Sequence, residues 1–304
     1  MKWEKSNWLS IAFTTKGSVI PSISGRVLIC VMFGALISLL HTYKYPVAQK
    51  SLADTVPAVV LGLLLVFRTN TAYDRFWEGR KAWGSMNNNI RNLVRIVWVG
   101  IDERVTGDRE RKIAALEMLP AFAIATKLYL RGQPLETELS NVFSVAQLQQ
   151  LNAVQNPVIQ IAFWLGDYLQ SEHRRGNIGI YQMNELQRII NNMVDAVGTC
   201  ERILRTPMPL AYAIHLKQLL LIYCLLLPFK LVGDLGWGTA PVVGLVSFTL
   251  FGIEAIGVEI ENPFGNDPND LPLDNICKNI QQTIEDTINY GHPPDSLDLD
   301  LDAN

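Results

Sequence analysis

The chain has 304 residues, 49% hydrophobic and 18% charged, with a net charge of −3. It is too apolar for an average soluble protein and too polar for one lying wholly in lipid, so a protein partly in membrane and partly in water fits best. The slight acidic balance argues against a nucleic-acid binder, which carries a basic surplus. Cys30, Cys200, Cys224 and Cys277 show no CxxC spacing. A zinc or redox motif is therefore not expected, and four reduced, mostly buried thiols are.

From the N-terminus, MKWEKSNWLS has no apolar core after its lysines and so no signal-peptide pattern. Four later segments are apolar enough to enter a bilayer. The first, residues 27–45, ends in Tyr43, Lys44 and Tyr45, residue types that sit well at a membrane interface. The second is VPAVVLGLLLVF, residues 56–67. Its twelve residues rise only ~18 Å as a helix, against about 30 Å of hydrocarbon. Such a segment cannot comfortably face lipid alone, and a helix enclosed by others or lining a pathway is the natural alternative. It runs without a break into RTNTAYDRFWE, so one helix carries hydrocarbon first and charge afterwards.

The stretch from about 68 to 205 reads as cytoplasmic and helical. RKIAALEMLPAFAIATKLYL has helical periodicity with Pro120 as an expected kink, and RGQPLETELSN reads as a loop. A helix over 156–176 opens on Asn156-Pro157, a cap followed by a first-turn proline, and ends at Gly176. Residues 181–204 form another amphipathic helix. The third membrane segment spans 208–231 and the fourth 239–260, joined by a turn at GDLGWG. The fourth carries Glu254 and Glu259, which are expensive in lipid unless paired, so basic partners are expected. Lys217, in the third, is expected to snorkel or pair. Residues 261–290 return to a helical, cytoplasmic character, and the acidic tail 291–304 reads as disordered. No alternating pattern long enough for a sheet is present, so the fold class is all-α.

Orientation follows from the basic residues. Lys2, Lys5, Lys16 and Arg26 precede the first segment, Arg68, Arg75, Arg80, Lys81, Arg91 and Arg95 follow the second, and Arg202 and Arg205 precede the third. Only Lys44 and Lys50 lie between the first and second. A multi-pass protein of the cell's inner or plasma membrane with both termini in the cytoplasm is expected.

No P-loop, GxSxG or HExxH is present, and the four histidines lack ligand spacing, so no enzyme is expected. Val59, Leu63 and Phe67 recur at i, i+4, i+8 on one helical face, and Thr71, Asp74 and Glu78 roughly continue it. Repeated around an axis, the first half would make a hydrophobic collar that gates ions by dewetting, and the second half a wet vestibule. Ordinary interhelix packing explains the same stripe equally well.

FRTNTAYDRFWEGRKAWG (67–84), CERILRTPMPLAY (200–212) and ENPFGNDPNDLPLD (261–274) together resemble the bestrophin family, in order and over most of residues 1–290. The resemblance implies a single channel unit over 1–290, assembled as a homopentamer around a central pore. Its neck would be Val59, Leu63 and Phe67, with Asp74 and Glu78 in the vestibule. A second, cytosolic constriction would lie at Thr206 or Met208. The resemblance also points to a candidate Ca²⁺ set at Asn262, Asp267 and Asp270, oxygen donors of the right kind. Their acidic run is diluted by Pro268 and Asn269, so helix caps and a charged turn are the favoured reading, and no cofactor is required. The implied partners are the bilayer, other copies of the chain and small monovalent ions, with chloride favoured by analogy. A sodium-type cation channel is the alternative, then a non-conducting membrane scaffold; a midplane-site transporter is a further rival class.

Overall fold

The computed structural model describes residues 8, 13–49 and 55–291, and every described regular element is helical. The ten α-helices in order are α1 (Ile20–Thr42), α2 (Thr55–Gly100), α3 (Asp108–Arg131), α4 (Glu136–Leu139), α5 (Val145–Ala153), α6 (Pro157–Arg174), α7 (Ile180–Arg205), α8 (Leu210–Leu235), α9 (Thr239–Glu259) and α10 (Leu273–Tyr290). They form two compact units. One holds the residues up to Trp77 and Thr206–Asp270; the other holds Glu78–Arg205 and the residues from Leu271. α2 runs through the division as one 46-residue helix.

The first unit is built on α1, the front of α2, α8 and α9. Its core includes Ile23 and Cys30 from α1, Leu61 and Leu65 from α2, Leu216 and Cys224 from α8, and Val243 and Phe251 from α9. α1 and α9 cross closely because glycine faces them. A Cβ on Gly244 would lie 2.7 Å from Val31 Cγ2, and one on Gly34 would lie 3.2 Å from the Ala240 backbone. Close approach through small residues replaces the hydrophobic driving force that lipid removes. The buried Ser38 hydroxyl donates to the carbonyls of Gly34 and Gly236, at 2.9 and 3.0 Å. The GDLGWG turn is a single 3₁₀ turn, Gly236–Gly238, with Gly236 at φ +50°.

The second unit is organised on α3, which packs against α6, α7 and α10. Three stretches of the described chain are long and apolar enough to cross a membrane: Ile20–Thr42, Asp108–Arg131 and Leu210–Glu259. The middle one is different in kind. Its apolar window is 72% buried within the protein, against 28% for the other two, so neighbouring helices already cover it. Its buried Lys127 donates to Glu138 and Asp274 at 2.7 and 2.8 Å. Near its start, buried Asp108 and Glu172 are held by Arg111, Arg175 and Asn177. Buried charge is tolerated only with such partners.

Several boundaries differ from those expected. α1 begins at Ile20 rather than 27, because Pro21 in its first turn suits a helix start. The loop around RGQPLETELSN contains the short α4, and α5 follows it, opened by a capping box in which Ser144 and Gln147 satisfy each other's backbone N–H groups. α6 starts as read, with the Asn156 side chain accepting from the N–H groups of Val158 and Ile159. Pro120 and Pro228 both sit inside continuous helices. All four cysteines are free and buried. Burial pushes both Cys200 and Cys277 up to about 12. The acidic tail lies outside the described residues, apart from Gly291 at its start.

Lys127 and then Arg131 hold Asp274 below its ordinary value of 3.8. A depressed carboxylate contributes stability above its unfolded value and loses it as pH falls through the lower folded one. Asp274→Asn should therefore flatten the acid limb of a stability–pH curve below about pH 4. Because Asp274 is largely exposed, the loss at neutral pH should be only about 0.5–1 kcal/mol. Thermal unfolding followed across pH checks both.

Candidate functional site

The site is built on α2. Val59, Leu63 and Phe67 are 55%, 53% and 62% exposed, while Leu61 and Leu65 on the opposite face are 3% and 2% exposed. The core therefore takes one face of the helix and leaves the i, i+4, i+8 stripe uncovered. Thr71 and Asp74 are exposed further along it, and the Thr71 hydroxyl donates back to the Phe67 carbonyl at 2.9 Å. Glu78 accepts from Arg202 at 2.5 Å, so its charge is locally offset.

Immediately after the stripe lies a polar junction that the motif reading did not single out. Arg68 is 3% exposed. Its guanidinium reaches Glu261 Oε2 at 3.3 Å and Met208 Sδ at 3.4 Å. Glu261 Oε1 accepts the Met208 N–H at 2.8 Å, which closes the triangle. Arg75 donates to the carbonyls of Glu261 and Thr206. Tyr212 donates to the Leu64 carbonyl at 2.7 Å. The segment carrying Thr206 and Met208 is thus tied to α2 by three side chains. Gly257 permits this approach, since a Cβ there would lie 3.4 Å from Arg68 Nε. A sequence signal existed. Arg68 directly follows the apolar run 56–67, and Glu261 directly follows 239–260, so opposite charges stand just beyond two apolar segments.

The 262–270 segment is a set of caps. Asn262 Oδ1 accepts the Phe264 N–H at 3.3 Å, and Asp270 Oδ2 accepts the Asp267 N–H at 2.7 Å. A Cβ at Gly265 would fall 2.6 Å from Asp270 Oδ2, so a larger residue there would displace that carboxylate. Asn269 donates to the Gly17 carbonyl and to Glu259. Among the described residues, no group of three or more His, Cys, Asp or Glu side chains is arranged to hold a metal. Asn262, Asp267 and Asp270 do lie in one turn, but the oxygens of Asn262 and Asp270 are engaged with backbone N–H groups. In this arrangement the set does not fit a calcium cage, and no step below depends on one. The two membrane glutamates find partners: Glu254 stands 3.6 Å from Arg26 and 4.0 Å from Lys217, and Glu259 accepts from Asn269.

Long apolar helices, paired charges at their ends and an uncovered stripe on the longest helix define an all-α membrane protein. The chain matches the sequence profile described as Bacterial/Fungal Bestrophin protein over residues 1–286. It is 57% identical to a voltage-dependent anion channel-forming protein of Nostoc sp., covering 99% of this chain and 98% of that one. It is 52% identical to a protein of the same description from Synechocystis sp., covering 92% of each. Its fold is similar to a bacterial bestrophin homologue from Klebsiella pneumoniae, with TM-score 0.80 and 27% identity over 90% of this chain and all of that one. The chain belongs to the bestrophin family.

The Arg68 junction gives a direct expectation. Arg68→Met leaves Glu261 without its buried partner and should destabilise the protein by about 3 kcal/mol. In a double-mutant cycle, Glu261→Gln should recover more than about 1 kcal/mol of that loss. Additive losses in thermal unfolding would show that the two side chains do not act together.

Proposed function

We propose that this chain is a channel rather than an enzyme, conducting small monovalent anions, chloride among them, through a pore shared by the copies of a homopentamer. Val59, Leu63 and Phe67 form its hydrophobic neck, Asp74 and Glu78 stand in the vestibule beyond it, and Thr206 or Met208 lines the cytosolic aperture. Both termini lie in the cytoplasm of a cell whose inner or plasma membrane holds the channel.

One observation carries the reading. Three large apolar side chains at helical spacing are more than half exposed on a helix whose own apolar segment is too short to face lipid. α2 is not among the stretches long and apolar enough to cross a membrane. Cyclic assembly covers such a stripe with its own copies, and a narrow apolar ring is a dewetting gate. The junction of Arg68, Arg75 and Glu261 supports the aperture assignment, because it orders the Thr206–Met208 segment against the neck helix. The Arg202 partner of Glu78 removes one objection to anions, since that carboxylate no longer presents a full charge. The names of the relatives add the same sign of charge. Conduction needs no bound cofactor.

Replacing Val59, Leu63 and Phe67 together by Ala widens and wets the neck. Single-channel conductance in a planar bilayer should rise by about twofold or more. Unchanged current would remove the stripe from the pore. Under asymmetric NaCl the reversal potential should move toward chloride; movement toward sodium would favour the cation reading, with exposed Asp74 as its source. Current should be the same in Ca²⁺ and in EGTA.

A further inference from the structure

The neck stripe is uncharged, so it does not choose between anion and cation through a fixed charge. Further along α2 the same helix turns basic. Residues 79–101 hold Arg80, Lys81, Arg91 and Arg95 and no aspartate or glutamate. All four cations are exposed, and none is in an ion pair among the described residues. Elsewhere Arg68, Arg111, Lys127 and Arg175 each have a carboxylate partner. Trp83, Met86, Ile90, Val94 and Val97 are buried on the other side of this stretch, so packing fixes which way the helix is turned.

Helical register relates these charges to the neck. At 3.6 residues per turn a helix repeats its direction every 18 residues. Lys81 stands 18 residues beyond Leu63, and Arg95 stands 36 beyond Val59, so both belong to the side of the stripe. Ser85, Asn88 and Asn92 lie between them on that side, exposed and neutral. The nearby acids do not cancel the surplus. Glu78, Glu185 and Asp102 are paired with Arg202, Arg188 and Arg104. Asp195 of α7 lines a groove of about 540 Å³ together with Lys81, and Asp74 is exposed further up α2. Four cations against these two carboxylates leave +2 on each copy.

We propose that Lys81 and Arg95 are the charge-selecting residues of the channel, forming two rings of fixed positive charge in the wet pathway beyond the neck. The inference rests on the pore reading of the stripe and adds to it the source of the sign. Rings of Lys or Arg concentrate anions and deplete cations in the space they line. The uncharged neck then passes what the rings supply. By helical rise Lys81 lies about 27 Å beyond Leu63, and Arg95 about 21 Å beyond Lys81. Both separations exceed the Debye length of about 10 Å at 0.1 M salt. The rings therefore act on ions in the chamber, and the barrier at the neck is left to its apolar side chains.

Reversal potentials of the full chain in planar bilayers, under a NaCl gradient, read the ratio of chloride to sodium permeability. Lys81→Gln combined with Arg95→Gln should lower that ratio about threefold or more, and the corresponding pair of Glu substitutions should lower it further. Arg95→Lys, which keeps the charge, should retain it. Arg80→Gln, about 100° round the helix from Lys81, should change it less than Lys81→Gln. In the unaltered protein the preference should also weaken between about 0.1 M and about 1 M salt, where the Debye length falls to about 3 Å. An unchanged ratio in the neutralised pair overturns the proposal. Where that pair carries no current, the salt series on the unaltered protein decides, and a ratio independent of salt overturns it. If the neck substitutions raise conductance while the neutralised pair keeps its ratio, the rings are refuted and the neck stands. If the unaltered protein passes no current, both readings fall.

Discussion

A helix that is hydrocarbon for about 18 Å and charged thereafter cannot sit against a bilayer core of about 30 Å. α2 is such a helix, and most of the molecule follows from accommodating it. One face is buried against α1, α8 and α9 through Leu61 and Leu65. The other face has no cover among the described residues, so it calls for copies of itself or for water. Continuity matters equally. No break separates Val59 from Glu78, so whatever surrounds the apolar stripe also sets the position of the polar residues that follow it.

The charged residues near the spans solve a related problem. Arg68 and Glu261 lie just past two apolar segments and neutralise each other while holding the Met208 backbone. Arg75 performs a similar task through the Glu261 and Thr206 carbonyls. A region of this kind tolerates burial because every strong charge has a stated partner, and it leaves the Thr206–Met208 segment little freedom. Glu254 is buried as well, and it is paired with Arg26 at 3.6 Å and Lys217 at 4.0 Å.

Much of this was legible in the residues. The Asn156-Pro157 cap, the fourth membrane segment and the i, i+4, i+8 stripe all depend on local rules of spacing and capping, and local rules survive tertiary packing. The short α4 and α5 were missed because few residues carry too little periodicity to register. The apolar α3 illustrates the opposite difficulty, since hydropathy alone does not separate a helix covered by protein from one covered by lipid; burial and its paired Lys127 do. Opposite charges just past two apolar segments mark Arg68 and Glu261, but Arg202 was not recognisable as the partner of Glu78, because a pairing across 124 positions leaves no trace in one sequence. The turn at 262–270 shows that caps and calcium ligands draw on the same residue types, so composition leaves that choice open.

The central claim concerns which face of α2 meets water. Single cysteines introduced in turn at Val59, Leu61, Leu63, Leu65 and Phe67, in a background with the four native cysteines replaced by Ala or Ser, would report it through block of current by a membrane-impermeant methanethiosulfonate reagent. Block at 59, 63 and 67 with silence at 61 and 65 is the predicted pattern. Block at 61 and 65 instead, or equal reactivity at every position, would contradict a pore lined by this stripe.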